Sequence, residues 1–112
     1  MRYIIDIDGT ICTNTEGKYE NAIPITDRIE HINKLYDEGN FIVYCTARGM
    51  GSSDDNIEVA NSKWYDLTKK QLNSWNVKYH KLVLGKPQGD IYVDDKGIND
   101  YDFFLKIHSY FK

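Results

Sequence analysis

Two hydrophobic patterns alternate along the chain. Short β-branched or aromatic runs are separated by longer stretches in which apolar residues recur every three or four positions. Tyr3, Ile4, Ile5 and Ile7 predict a buried strand, and the runs 41–44, 81–84 and 90–93 predict three more. After Pro24, the residues Ile25, Ile29, Ile32 and Leu35 with Tyr36 fall at helical spacing, and Gly39 stands where a C-terminal cap belongs. Ala60, Trp64, Leu67 with Thr68, Gln71 with Leu72, and Trp75 predict a second helix over about 59–75. The aromatic-rich tail, 99–112, predicts a last helix packed on the sheet or on a neighbouring subunit. The polar stretch after Thr10 reads as a hairpin or flap over the end of the first strand or as a plain loop, and 49–56 as a loop near the site. Strands alternating with helices imply βαβ units, hence a parallel sheet with right-handed crossovers.

Composition narrows this only a little. With 112 residues the chain suits a single α/β domain, 1–112, too short for a core plus a separate cap. A net charge of -3 gives no general electrostatic reason to bind nucleic acid or an anionic membrane. Cys12 and Cys45 form no CxxC or metal-ligand spacing and read as small buried or half-buried residues in a reducing compartment. No apolar run approaches a bilayer span, and Asp6 and Asp8 break any signal-peptide pattern, so a soluble cytoplasmic protein is expected.

The chemistry sits at the ends of the strands. Asp6 and Asp8 lie two residues apart where the first run stops, so in extended chain they share a face, and Gly9 lets the backbone turn away. In a parallel sheet all strand C-termini meet at one edge, where open α/β folds bind ligands. That would gather Asp6, Asp8, Thr46, Lys86, Asp94 and Asp95. Carboxylates from two strands suit Mg²⁺, which leaves room for phosphate and water. Thr46 and Lys86 suit the oxygens of a transferring phosphoryl group.

In this order, Asp6-Ile7-Asp8-Gly9-Thr10, then Thr46, then Lys86, then Asp94-Asp95, the chain resembles the haloacid dehalogenase superfamily of aspartate-nucleophile phosphotransferases over nearly its whole length. The resemblance implies a Rossmann-like three-layer sandwich with a mainly parallel central sheet and no cap domain. It implies Asp6 as nucleophile, forming an aspartyl phosphate, and Asp8 as the acid and then the base. It places Mg²⁺ on the Asp6 carboxylate, the Asp8 carbonyl and Asp94, with Asp95 bound directly or through water. Thr46 and Lys86 would hold the phosphoryl group, with Ala47 and Arg48 beside it as substrate contacts; for Arg48 a surface position is the competing reading. Asp90 lies at the start of the fourth run, the wrong end for the metal. An Asp at position 8 accords with relatives that hydrolyse phosphate monoesters rather than those that transport ions or cleave phosphonates.

Neither 11–23 nor 49–58 is long enough for a cap, so the site is expected to be open, or closed by a second copy through the aromatic tail. Small capless relatives with a Thr-Ala-Arg-Gly turn and a Lys-Pro-x-x-Asp block are linked to capsule or other surface-polysaccharide synthesis. That implies a small-molecule phosphate ester, either a sugar phosphate or a phosphorylated nucleotide-sugar. A polynucleotide 3′-phosphatase is the competing enzyme. A receiver-type module that accepts phosphate on Asp and a catalytically silent binding module are the non-enzymatic alternatives, although the order of motifs differs from that of receivers.

Overall fold

The computed structural model describes residues 1–110, with side chains through Leu105. Its elements are β1 (Arg2–Ile5), α1 (Thr26–Asp37), β2 (Phe41–Thr46), α2 (Ile57–Ser74), β3 (Lys81–Leu84) and α3 (Asp100–Tyr110), with a 3-10 turn at Tyr19–Asn21. The strands form a parallel sheet in the order β1-β2-β3, registered Ile5 beside Tyr44 and Thr46 beside Leu84. The expected α/β class and parallel sheet are therefore present.

Local chemistry sets where the helices stop and start. Gly39, at φ 95°, ends α1: its N–H donates to the Tyr36 carbonyl and that of Asn40 to the Leu35 carbonyl. The Asn56 side chain caps α2 by accepting from the Val59 N–H at 3.1 Å. Ile29 and Ile32 of α1, Leu72 of α2 and Phe104 of α3 join Ile5, Ile42, Tyr44, Leu82 and Leu84 in one buried cluster. Arg28 fastens α3 to α1, with Nη1 2.7 Å from Asp100 Oδ2 and 3.0 Å from the Thr10 carbonyl and its guanidinium over the Phe104 ring. Phe103 meets Tyr3 edge-on, so this part of the tail packs on the sheet. The tail residues expected to reach a second copy extend beyond Leu105, outside the described side chains.

Two expectations need correction. Residues 90–93 form no strand; Ile91 is 81% and Val93 93% exposed. The Tyr92 hydroxyl donates to the Pro87 carbonyl at 2.6 Å and accepts from the Gly89 N–H at 3.0 Å, so a short apolar run is held in a compact local turn. Among the described residues the three-layer sandwich is not complete. Helices cover the face bearing Ile5, Tyr44 and Leu84, while the opposite face leaves Ile4 59% and Val83 42% exposed. Of the readings open for residues 11–23, the structure takes the loop, which carries the turn at Tyr19–Asn21 and isolated bridges from Cys12 to Asp8 and Pro24.

No helix among the described residues is long and apolar enough to cross a membrane. Ile32→Ala or Leu72→Ala should lower stability by about 2–5 kcal/mol, because both side chains are fully buried. Val93→Ala should stay within about 0.5 kcal/mol. Chemical denaturation measures both, and a loss comparable to the core variants at position 93 would mean that this residue is packed in a strand.

Candidate active site

The C-terminal end of β1 delivers Asp6 and Asp8, that of β2 delivers Thr46 to Arg48, and that of β3 delivers Lys86. The strand ends are tied by the Thr46 carbonyl, which accepts from the Gly85 and Lys86 N–H groups, both at 3.2 Å. This places Lys86 Nζ 3.6 Å from Asp6 Oδ2, and the same ammonium lies 4.3 Å from the centre of the Tyr92 ring. Thr46 is buried, and its hydroxyl accepts from the Arg48 N–H at 3.1 Å. Ala47 sits in the turn, its carbonyl accepting from the Met50 N–H.

Arg48 departs most from expectation. Its side chain is completely buried, neither on the surface nor extended into the opening. Nε donates to Asp8 Oδ2 at 2.9 Å and Nη2 to Asp8 Oδ1 at 3.0 Å, a two-pronged pair. Nη1 donates to Thr68 Oγ1 at 3.1 Å and Gln71 Oε1 at 2.6 Å. The Tyr19 ring covers the guanidinium, 4.9 Å from its centre. Gly49 follows at φ 76° with the Trp64 ring packed where a side chain would stand, so the turn leaves β2 tightly.

In the sequence, Thr68 and Gln71 stand out only as positions of a predicted helix. The available signal was their spacing on α2: with Trp64, Thr68 and Gln71 put polar atoms on the helix face that also buries Leu72. Gln71 Nε2 also donates to the Tyr19 carbonyl at 2.6 Å, and the Gly49 N–H to the Tyr19 hydroxyl at 2.9 Å. The short turn at Tyr19 is thereby fastened to α2 and to the turn after β2.

Burial raises the Asp6 carboxyl above its ordinary 3.8; Lys86 opposes the shift, and the nearby Asp8 charge adds to it. Burial, with the Asp8 carboxylate alongside, pushes the Cys12 thiol up to about 12, so this cysteine is an inert packing group. Asp94 and Asp95 are exposed on the irregular segment 85–99, away from the positions a fourth strand would have given them. The Lys96 N–H donates to Asp94 Oδ1 at 3.0 Å and holds that carboxyl below its usual range. Among the described residues no three His, Cys, Asp or Glu side chains gather as a metal group. Asp6 and Asp8, two residues apart beyond the end of β1, offer oxygen donors of the chemical kind that Mg²⁺ takes, an ion that commonly binds one or two carboxylates.

Fold and site together define a small α/β protein with charged groups gathered at the C-terminal ends of a parallel sheet. Among solved structures, the chain is similar to the crystal structure of a structural-genomics target from Vibrio cholerae, at 28% identity and a TM-score of 0.84, covering 96% of this chain and 94% of that one. No family model and no curated protein matches the sequence.

The raised carboxyl at Asp6 has a pH signature. The folded state takes up this proton more readily than the unfolded chain, so the contribution of Asp6 to stability falls as pH rises from about 3.8 through the folded value. Thermal melts with chelator, from about pH 3.5 to about pH 7, should show wild type losing ground to Asp6→Asn as pH rises. A difference that stays constant across this range would refute the assignment.

Proposed function

We propose that this protein is a Mg²⁺-dependent phosphomonoester hydrolase of the haloacid dehalogenase type, working through an aspartyl phosphate. The observation that carries the reading is the pairing at the strand ends: Asp6 faces Lys86 Nζ at 3.6 Å, and Asp8, two residues on, is gripped by Arg48. An Asp6 oxygen attacks phosphorus, the bond from phosphorus to the leaving oxygen breaks, and Asp8 supplies that oxygen with a proton. Water then attacks the aspartyl phosphate, Asp8 takes the water's proton, and inorganic phosphate leaves. Lys86 offsets the charge on the phosphoryl oxygens, and the Thr46 hydroxyl, already accepting from the Arg48 N–H, keeps its own proton to donate.

Mg²⁺, held by the Asp6 carboxylate and the Asp8 carbonyl, would supply further neutralisation of phosphoryl charge. Asp94 and Asp95 can add to that set only when the segment 85–99 approaches the strand ends. The favoured substrate is a sugar phosphate or a phosphorylated nucleotide-sugar of surface-polysaccharide synthesis. It rests on the Thr-Ala-Arg-Gly turn and the Lys-Pro-x-x-Asp block.

The test is phosphate release from sugar phosphates, nucleotide-sugar phosphates and 3′-phosphorylated oligonucleotides, with Mg²⁺ and with chelator. Turnover should require the metal and fall more than about 10³-fold in Asp6→Asn. Lys86→Ala should lower it by about 10²–10³-fold. A preference for the oligonucleotide would favour the polynucleotide 3′-phosphatase. A folded protein that binds Mg²⁺ and turns over nothing would favour a receiver-type or silent module.

A further inference from the structure

Arg48 invites assignment as an anion-binding residue for substrate, yet the geometry leaves it no donor for one. Its guanidinium has five N–H groups. Nε and Nη2 point to the two oxygens of Asp8, Nη1 meets Thr68 and Gln71, and Cys12 Sγ lies 4.0 Å from Nη2. The side chain has no exposed surface, and the Tyr19 ring lies over its face. The inward direction is built into the backbone, because Thr46 Oγ1 captures the Arg48 N–H and Gly49 turns the chain under Trp64.

We infer that Arg48 is a positioning residue. It fixes the Asp8 carboxylate in the orientation needed for proton transfer and, through Gln71, fastens the turn at Tyr19 beside it. This rests on the hydrolase reading above. A single carboxylate rotates about its χ angles, whereas one gripped at both oxygens is held in plane and direction. The Asp8 side chain remains 18% exposed, so the pair has one closed side, toward Arg48, and one open side.

The role can be separated from substrate binding and from simple structural support through the leaving group. An alkoxide is a poor leaving group and needs a proton as the bond breaks, while a dinitrophenolate departs without one. Single-turnover release of the alcohol from a sugar phosphate and from dinitrophenyl phosphate should be compared in wild type and Arg48→Gln, with Mg²⁺. The variant should lose about 10²–10³-fold on the sugar phosphate and at least about tenfold less on the aryl ester, with KM within about threefold. Equal losses on both esters, or a raised KM with kcat intact, would overturn the inference. If Arg48→Gln does not fold, Arg48→Lys, which keeps the charge but not the fork, carries the same comparison.

A wild type that releases nothing from either ester defeats the hydrolase reading instead. Melting temperatures of Asp8→Asn, Arg48→Gln and the double variant then decide whether Arg48 anchors Asp8. The double variant should lose clearly less than the sum of the single losses, and additive losses would overturn the anchoring.

Discussion

A fully buried guanidinium must find an acceptor for its N–H groups inside the protein, and that requirement governs the end of this sheet. Arg48 recruits Asp8 from beyond β1 and Thr68 and Gln71 from α2, and lies under the ring of Tyr19 from the turn at Tyr19–Asn21. Three separate parts of the chain therefore converge on one side chain. Removing one partner of such a pair and leaving the other charge buried costs about 3–5 kcal/mol, a large share of what holds a small domain together. The same demand explains polar residues on the inner face of α2, where packing alone would favour aliphatic ones.

Two carboxylates only two residues apart consequently live in different surroundings. Asp8 is held at both oxygens from within the protein. Asp6 faces Lys86 at 3.6 Å, longer than a charge-assisted hydrogen bond, and keeps 35% of its side chain exposed. One carboxylate is fixed and the other is left addressable from solvent. Environments that differ in this way are how a single fold gives two like groups different roles, and the proposed division of labour between nucleophile and acid follows that difference.

Much of this was legible in the sequence, and the failures have identifiable causes. The three strands follow from short continuous apolar runs and the first two helices from apolar residues recurring every three or four positions, while the last helix follows from the aromatic-rich tail. Asp6, Asp8, Thr46 and Lys86 could be placed because parallel topology alone sends every strand's C-terminus to the same edge. Arg48 was misplaced because its partners lie 20 to 40 positions away in sequence, and no local pattern reports a buried charge whose acceptors come from other elements. The run 90–93 was misread for the opposite reason. Three apolar residues satisfy a strand pattern, but a tyrosine hydroxyl within reach of its own preceding turn offers the backbone a competing set of hydrogen bonds.

Lys86 joins that turn to the site. Its amide is tied to the end of β2, its ammonium lies between Asp6 and the Tyr92 ring, and Gly85 before it takes φ 112° with Ile57 packed against the position of a side chain. The base of the segment 85–99 is thus fixed to the sheet, while the remainder is held by contacts at the surface. Those contacts include the two hydrogen bonds of the Tyr92 hydroxyl and its ring against Lys86, each worth about 0.5–1.5 kcal/mol, and a longer hydrogen bond from the Gln88 N–H to Asp55 Oδ1. Only Val93 stands between Tyr92 and the pair Asp94-Asp95, so the placement of that pair rests on a few kcal/mol of local bonding. Topology does not impose it, because β1 has a strand partner on only one side. The position of Lys86 does not depend on that bonding, since the Thr46 carbonyl holds its backbone whichever way Tyr92 turns.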